Sequence, residues 1–101
     1  MSTLSTHVLD QAAGRPASGI RIRLETREGE ALGEGVTDDD GRVAAIGPEL
    51  QVGSYVLRFD TSERDGFYPE IVVVFTVAEP DQHYHVPLLL SPYGYSTYRG
   101  S

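Results

Sequence analysis

The sequence predicts an all-β domain built as an antiparallel sandwich or barrel. Three observations carry that class. Turn signals recur at short intervals: Gly14-Arg15-Pro16, Glu28-Gly29, Asp40-Gly41, Gly47-Pro48, Val52-Gly53, Asp65-Gly66, Glu79-Pro80 and Ser91-Pro92. The segments between them are short and rich in β-branched and aromatic residues. Several of these segments alternate apolar and polar residues with the period of two that a pleated strand imposes.

The elements follow in chain order. Ser5 to Asp10 is the first strand, with Thr6 and Val8 on one face and His7 and Leu9 on the other. Gly19 to Glu25 sets Ile20, Ile22 and Leu24 against Arg21, Arg23 and Glu25. Leu32 to Thr37 and Arg42 to Ala45 flank an acidic turn. Ser54 to Phe59 sets Tyr55, Leu57 and Phe59 against Val56 and Arg58. Ser62 to Gly66 is the one stretch capable of a helical turn, capped by Thr61 or Ser62, so one short helix is expected. Glu70 to Val77, Tyr84 to Leu90 and Tyr93 to Tyr98 complete the set.

Two of these strands depart from the rule of apolar in, polar out. The first pairs His7 with Leu9 on one face, and the penultimate one places His83, His85, Pro87 and Leu89 opposite Tyr84, Val86 and Leu88. Apolar residues on both faces mean that both faces are covered. A small sandwich covers only the inner one. The second covering is expected from another subunit, which would trap His7 and His85 at an interface.

The 101 residues make one domain, 1–101, whose core is adequate but not generous, so association would also add stability. The longest apolar run, Ile71 to Phe75, falls far short of the ~18 residues of a membrane span. Met1 to His7 has neither a basic start nor an apolar stretch, so no signal peptide is expected and a cytoplasmic location is. A net charge of −7 opposes nucleic acid as a partner. With no cysteine there are no disulfides, thiolate nucleophiles or Cys-based zinc sites. Every basic residue is arginine, which removes Schiff-base chemistry and lysine bases. Catalysis is left to His7, His83, His85, arginines, hydroxyls and carboxylates.

His83-Tyr84-His85 puts two imidazoles on one strand face, roughly 7 Å apart. That spacing can hold zinc if His7 supplies a third ligand, or it can be a solvated sheet face, and the residues alone leave both open. Arg42 follows the turn Asp38-Asp39-Asp40-Gly41, which lacks the alternating ligands and downstream glutamate of a calcium loop. It reads as a hairpin turn. The ending Tyr95-Ser96-Thr97-Tyr98-Arg99-Gly100-Ser101 continues a strand and then stops on a charged, flexible tripeptide able to reach a pocket. Nucleophile-elbow, phosphate-loop and His-Glu-x-x-His signatures are absent.

Two stretches resemble the transthyretin family. His7-Val8-Leu9-Asp10 followed by Gly14-Arg15-Pro16-Ala17 resembles its opening motif, and Tyr84 through Ser96 its closing motif. That family carries thyroid hormone in vertebrate blood on one branch and hydrolyses 5-hydroxyisourate in urate breakdown on the other. The hydrolase branch is recognised by His7, Arg42, His85 and Tyr98-Arg99-Gly100-Ser101, all present. The resemblance implies a transthyretin-like sandwich of two four-stranded sheets, pairing edge to edge as a dimer, with two dimers meeting face to face as a homotetramer. Pro87 is a tension there, because proline inside a central strand removes a ladder hydrogen bond.

The same resemblance implies a small-molecule substrate, 5-hydroxyisourate, converted to 2-oxo-4-hydroxy-4-carboxy-5-ureidoimidazoline with no cofactor and no metal. His7 and His85 would activate water, and Arg42 would hold the substrate's oxygens. Ser96, Tyr98, Arg99, Gly100 and Ser101 would complete substrate binding. Three rivals remain: a carrier using the same channel, a zinc hydrolase using all three histidines, and a plain structural sandwich.

Overall fold

The computed structural model describes residues 1–100. Nine strands form among them: β1 (Thr3–Asp10), β2 (Arg15–Pro16), β3 (Arg21–Thr26), β4 (Ala31–Val36), β5 (Arg42–Val43), β6 (Gly53–Asp60), β7 (Glu70–Val77), β8 (His83–Ser91) and β9 (Gly94–Thr97). They build two sheets, as the alternation predicts. One runs β4-β3-β6-β7. The other runs β2-β1-β8-β9, with β5 pairing along the same edge of β1 as β2 does.

The core lies between the sheets and is read from alternate residues. Leu4 and Val8 of β1, Ile22 and Leu24 of β3, Leu57 and Phe59 of β6 and Leu88 of β8 are almost fully buried. Each such side chain contributes roughly 1.5–3 kcal/mol by leaving water. On the outer side of the β4-β3-β6-β7 sheet Glu25 is buried as well, and its carboxylate accepts from Nε of Arg58 at 3.0 Å and pairs with Arg23 at 3.0 Å.

The structure corrects the sequence expectation in three ways. First, no helix forms among the described residues, so the expected short helix at Ser62 to Gly66 is absent. Asp60 accepts from the backbone and hydroxyl of Ser62, and Arg64 N closes a single turn on Thr61 O at 3.0 Å. The Thr61 hydroxyl donates to the carbonyl of Tyr68 instead of capping a helix. Five residues ending in Asp65-Gly66 cannot repay the cost of nucleating one. Second, the sheet around β1 has five strands, because Arg15–Pro16, expected as a turn, pairs with Leu9 and Asp10. Third, β1 and β8 run parallel, in an otherwise antiparallel structure. Their register extends over all of β1, from Thr3 beside His83 to Asp10 beside Leu90.

The tension at Pro87 resolves without a bulge. The β8–β9 ladder runs as far as Leu88 and Thr97, lapses at Pro87, and resumes in the same register where His85 meets Gly100. Thr97 Oγ1 donates to the Pro87 carbonyl at 2.8 Å across the gap. Among the described residues no helix is long and apolar enough to cross a membrane.

Candidate active site

Parallel pairing of β1 with β8 lays the candidate residues out as a grid. Even-numbered residues of both strands, such as Leu4, Val8, Tyr84 and Leu88, enter the core. Odd-numbered residues face outward: Thr3, Ser5, His7 and Leu9 from β1, with His83, His85, Pro87 and Leu89 from β8. One row across the sheet reads Arg42, His7, Pro87, and the unbroken register places Tyr98 beyond Pro87. The next row reads Ser5, His85, Gly100. Ser96 stands beside Leu89 in the row on the other side. Six of the sequence-predicted site residues, His7, Arg42, His85, Ser96, Tyr98 and Gly100, therefore share one face. Rows along a strand are roughly 7 Å apart.

The acidic turn orients the first row. Asp38 Oδ1 accepts from the backbone N–H groups of Asp40 and Arg42, both at 2.9 Å, which fixes the turn and the start of β5. Gly41 follows with φ of 74°, and a Cβ there would lie 2.3 Å from the Val8 carbonyl oxygen. Only glycine fits both the left-handed backbone and that approach. The turn brings the Asp40 carbonyl within 2.8 Å of His7 Nε2. A carbonyl only accepts, so Nε2 carries hydrogen, and the neutral ring keeps its lone pair on Nδ1.

The second row is tied together by Ser5. Its buried hydroxyl lies 2.8 Å from Nδ1 of His85 and 2.7 Å from Nε2 of His83, while Thr3 Oγ1 lies 2.6 Å from Nδ1 of His83. The Ser5 contact occupies Nδ1 of His85 and leaves Nε2 as the ring nitrogen for other partners. Burial holds the His85 pKa below the usual histidine value, and electrostatic interaction with Arg42, and then with the neighbouring His7 and His83, pushes it the same way, with a hydrogen bond to Ser5 opposing them. His85 is thus a neutral imidazole at neutral pH, the state a general base requires.

The terminal segment packs against this row. Gly100 N donates to the His85 carbonyl at 2.8 Å, and a Cβ on Gly100 would stand 2.5 Å from His85 Cδ2. Tyr98 remains exposed on the open face. Arg99, pointing the other way, sets its guanidinium 4.5 Å from the centroid of the Tyr84 ring and donates to Gln82 Oε1 at 3.1 Å. It anchors the segment from the opposite side of the strand. Ser101 lies outside the described residues.

Sequence reading missed Ser5, the Asp40 carbonyl and the Asp38 carboxylate. No local pattern marks Ser5, because its partners lie almost eighty residues away. A cleft of about 500 Å³ opens elsewhere, between the Asp60 to Gly66 turns and Leu90 to Gly94, and none of the sequence-predicted site residues line it. The histidine face is an open surface of the chain.

Comparison with known proteins fits this geometry. Over its full length the chain is 49% identical to a 5-hydroxyisourate hydrolase of Caulobacter vibrioides, covering all of that protein as well. The solved 5-hydroxyisourate hydrolase of Klebsiella pneumoniae superposes with a TM-score of 0.90 at 41% identity, each chain covered completely. A transthyretin from Sparus aurata superposes with a TM-score of 0.85 at 30% identity, over 96% of this chain and 95% of that one. The two sheets are thus a transthyretin-like sandwich. The sequence model described as "HIUase/Transthyretin family" matches residues 4–100, where both motifs and every described member of the outer grid except Thr3 lie, and the chain belongs to that family.

Proposed function

We propose that the protein is a hydrolase that opens the cyclic amide of 5-hydroxyisourate by water attack. The observation that carries this reading is the face on which Arg42 and His7 stand one row from a partly desolvated, neutral His85. Relatives named for that reaction at full coverage support it.

His7, with its lone pair on Nδ1, and His85, whose Nδ1 is engaged by Ser5, orient and deprotonate the water, and the proton passes to the departing ring nitrogen. Arg42 holds the substrate's carbonyl or anionic oxygens in its planar fork of donors and stabilises the charge that develops there. Ser96 and Tyr98 flank the ring. Gly100 backs the His85 imidazole, while Arg99 and Ser101 belong to the segment that closes the site. The mechanism uses side chains alone, without metal or cofactor.

The whole chain, 1–101, acts as one domain in a cytoplasmic homotetramer, a dimer of dimers. Outer faces of the β2-β1-β8-β9 sheet meet in pairs, so that each open histidine surface becomes a pocket. The exposed Tyr98 and the half-buried, apolar Leu89 on that outer face support that assembly.

The test is the decay of freshly generated 5-hydroxyisourate with and without protein, run beside a buffer blank and a His85→Asn variant. Acceleration is expected, and its loss by about 10²–10⁴-fold in the variant, the range for removing a positioned base. Equal turnover in the variant would remove His85 from the mechanism. No acceleration by the native protein would favour a carrier that uses the same face.

A further inference from the structure

The geometry points to a proton relay, His85–Ser5–His83, in which His83 is a positioning residue that receives the charge taken up at His85. The observation is a continuous hydrogen-bonded chain on the outer face. Thr3 Oγ1, His83, Ser5 Oγ and His85 are linked by contacts of 2.6, 2.7 and 2.8 Å. One hydroxyl thus joins two imidazoles on the same strand. Ser5 is buried, which limits the access of water to its hydroxyl.

A serine hydroxyl has one proton to give and lone pairs to receive, which couples the two rings. For His85 to present a lone pair at Nε2, its hydrogen must sit on Nδ1 and be donated to Ser5 Oγ. Ser5 then donates its own proton to Nε2 of His83, and His83 donates from Nδ1 to Thr3 Oγ1. From this state every transfer balances. His85 Nε2 takes a proton from the attacking water as its Nδ1 proton moves to Ser5 Oγ, and the Ser5 hydroxyl proton moves to Nε2 of His83. His85 ends neutral with hydrogen on Nε2, ready to be given to the leaving nitrogen. His83 ends as the cation, and the reverse shift resets the chain.

Electrostatics favours this placement. Groups facing His85 from the adjoining elements are His7 and Ser5 of β1, Arg42 of β5, His83 of its own strand and the Gly100 backbone. A cation on His85 would be partly desolvated and one row from Arg42. His83 is exposed and one row farther from Arg42, so the charge there is solvated. The sequence left His83 open between zinc ligand and solvated surface. The structure engages both its ring nitrogens with hydroxyls.

The relay rests on the hydrolase reading for its effect on turnover, but its proton positions are testable without substrate. Nitrogen-15 spectra of the histidine rings at neutral to mildly alkaline pH are expected to show hydrogen on Nδ1 of both His83 and His85. In Ser5→Ala the His85 ring loses that preference and gains hydrogen on Nε2. A native protein with hydrogen on Nε2 of neutral His85 would overturn the relay, whether or not it turned out to be a hydrolase. His83→Gln keeps an amide beside Ser5 but cannot accept the proton. It is expected to lower kcat about tenfold with KM unchanged, a part of the ~10²–10⁴ a positioned base supplies. Ser5→Ala with His83→Gln is expected to lose no more than the worse single variant. Native kcat in His83→Gln, or losses that multiply in the double variant, would also overturn it.

Discussion

Replacing Gly100 with alanine should cripple turnover while sparing the fold. Gly100 is not in the left-handed region, so an added Cβ carries no backbone strain and the effect is one of contact. That Cβ would stand 2.5 Å from Cδ2, 3.2 Å from Cγ and 3.3 Å from Cβ of His85. Ordinary carbon contacts lie near ~3.5–4.0 Å, so something must move by about 1 Å. Only two movements are open. The imidazole can swing away and lose its 2.8 Å contact with Ser5, or the terminus can lift and lose the 2.8 Å bond from Gly100 N to His85 O. Either one displaces a site component by a distance that costs about 10² in rate when geometry matters to the reacting atoms. The stability at risk is one hydrogen bond at the chain's end, about 0.5–1.5 kcal/mol. Initial rates of 5-hydroxyisourate decay, with a thermal melt on the same samples, separate the two effects. A Gly100→Ala protein with native turnover would refute the claim that the terminal segment fixes the His85 ring.

Two further outcomes follow. Deleting Tyr98 to Ser101 should abolish turnover, because it removes the backing of His85 and the Arg99–Tyr84 anchor together; a truncated protein with native rates would make the segment structural only. His85 has its pKa lowered by burial and by neighbouring positive charge, so its neutral form extends below the usual histidine value of ~6.5. Protonation of the His85 ring, followed by its NMR resonances, should therefore come only below ~6.5, and over the same interval the unfolded chain binds the proton first, so stability also falls toward acid; a His85 midpoint above ~6.5 would contradict this.

Much of the fold was legible because it rests on local rules. Ile20, Ile22 and Leu24 alternate with arginine and glutamate, and all three are buried. Glu70–Val77 forms with the bounds its composition predicts. The terminal motif of the site was legible too, but only through resemblance, since nothing local makes Gly100 a contact of His85. What stayed hidden was long-range. The parallel register of β1 on β8 joins residues some eighty positions apart, and no alternation pattern states which strand lies beside which. Ser5 therefore passed unnoticed. The helical turn failed for the opposite reason, since a plausible local cap was overruled when Thr61 turned its hydroxyl toward Tyr68.

The period of two also explains how the sandwich can hold reactive groups without weakening itself. Core residues on β1 and β8 are even-numbered and site residues odd-numbered, so no side chain serves both purposes. Changing His7, His83 or His85 alters a half-exposed or exposed position and opens no cavity between the sheets. Ser5 differs from the histidines: it belongs to the outer face yet, like Pro87, is buried, and it is wedged between the two imidazoles it bonds. Loss of its hydroxyl leaves two ring nitrogens without their partner, so Ser5→Ala couples chemistry to stability where the histidine variants do not. This fold is therefore free to change its chemistry through odd-numbered residues alone, and function has to be argued from those residues and not from the sandwich.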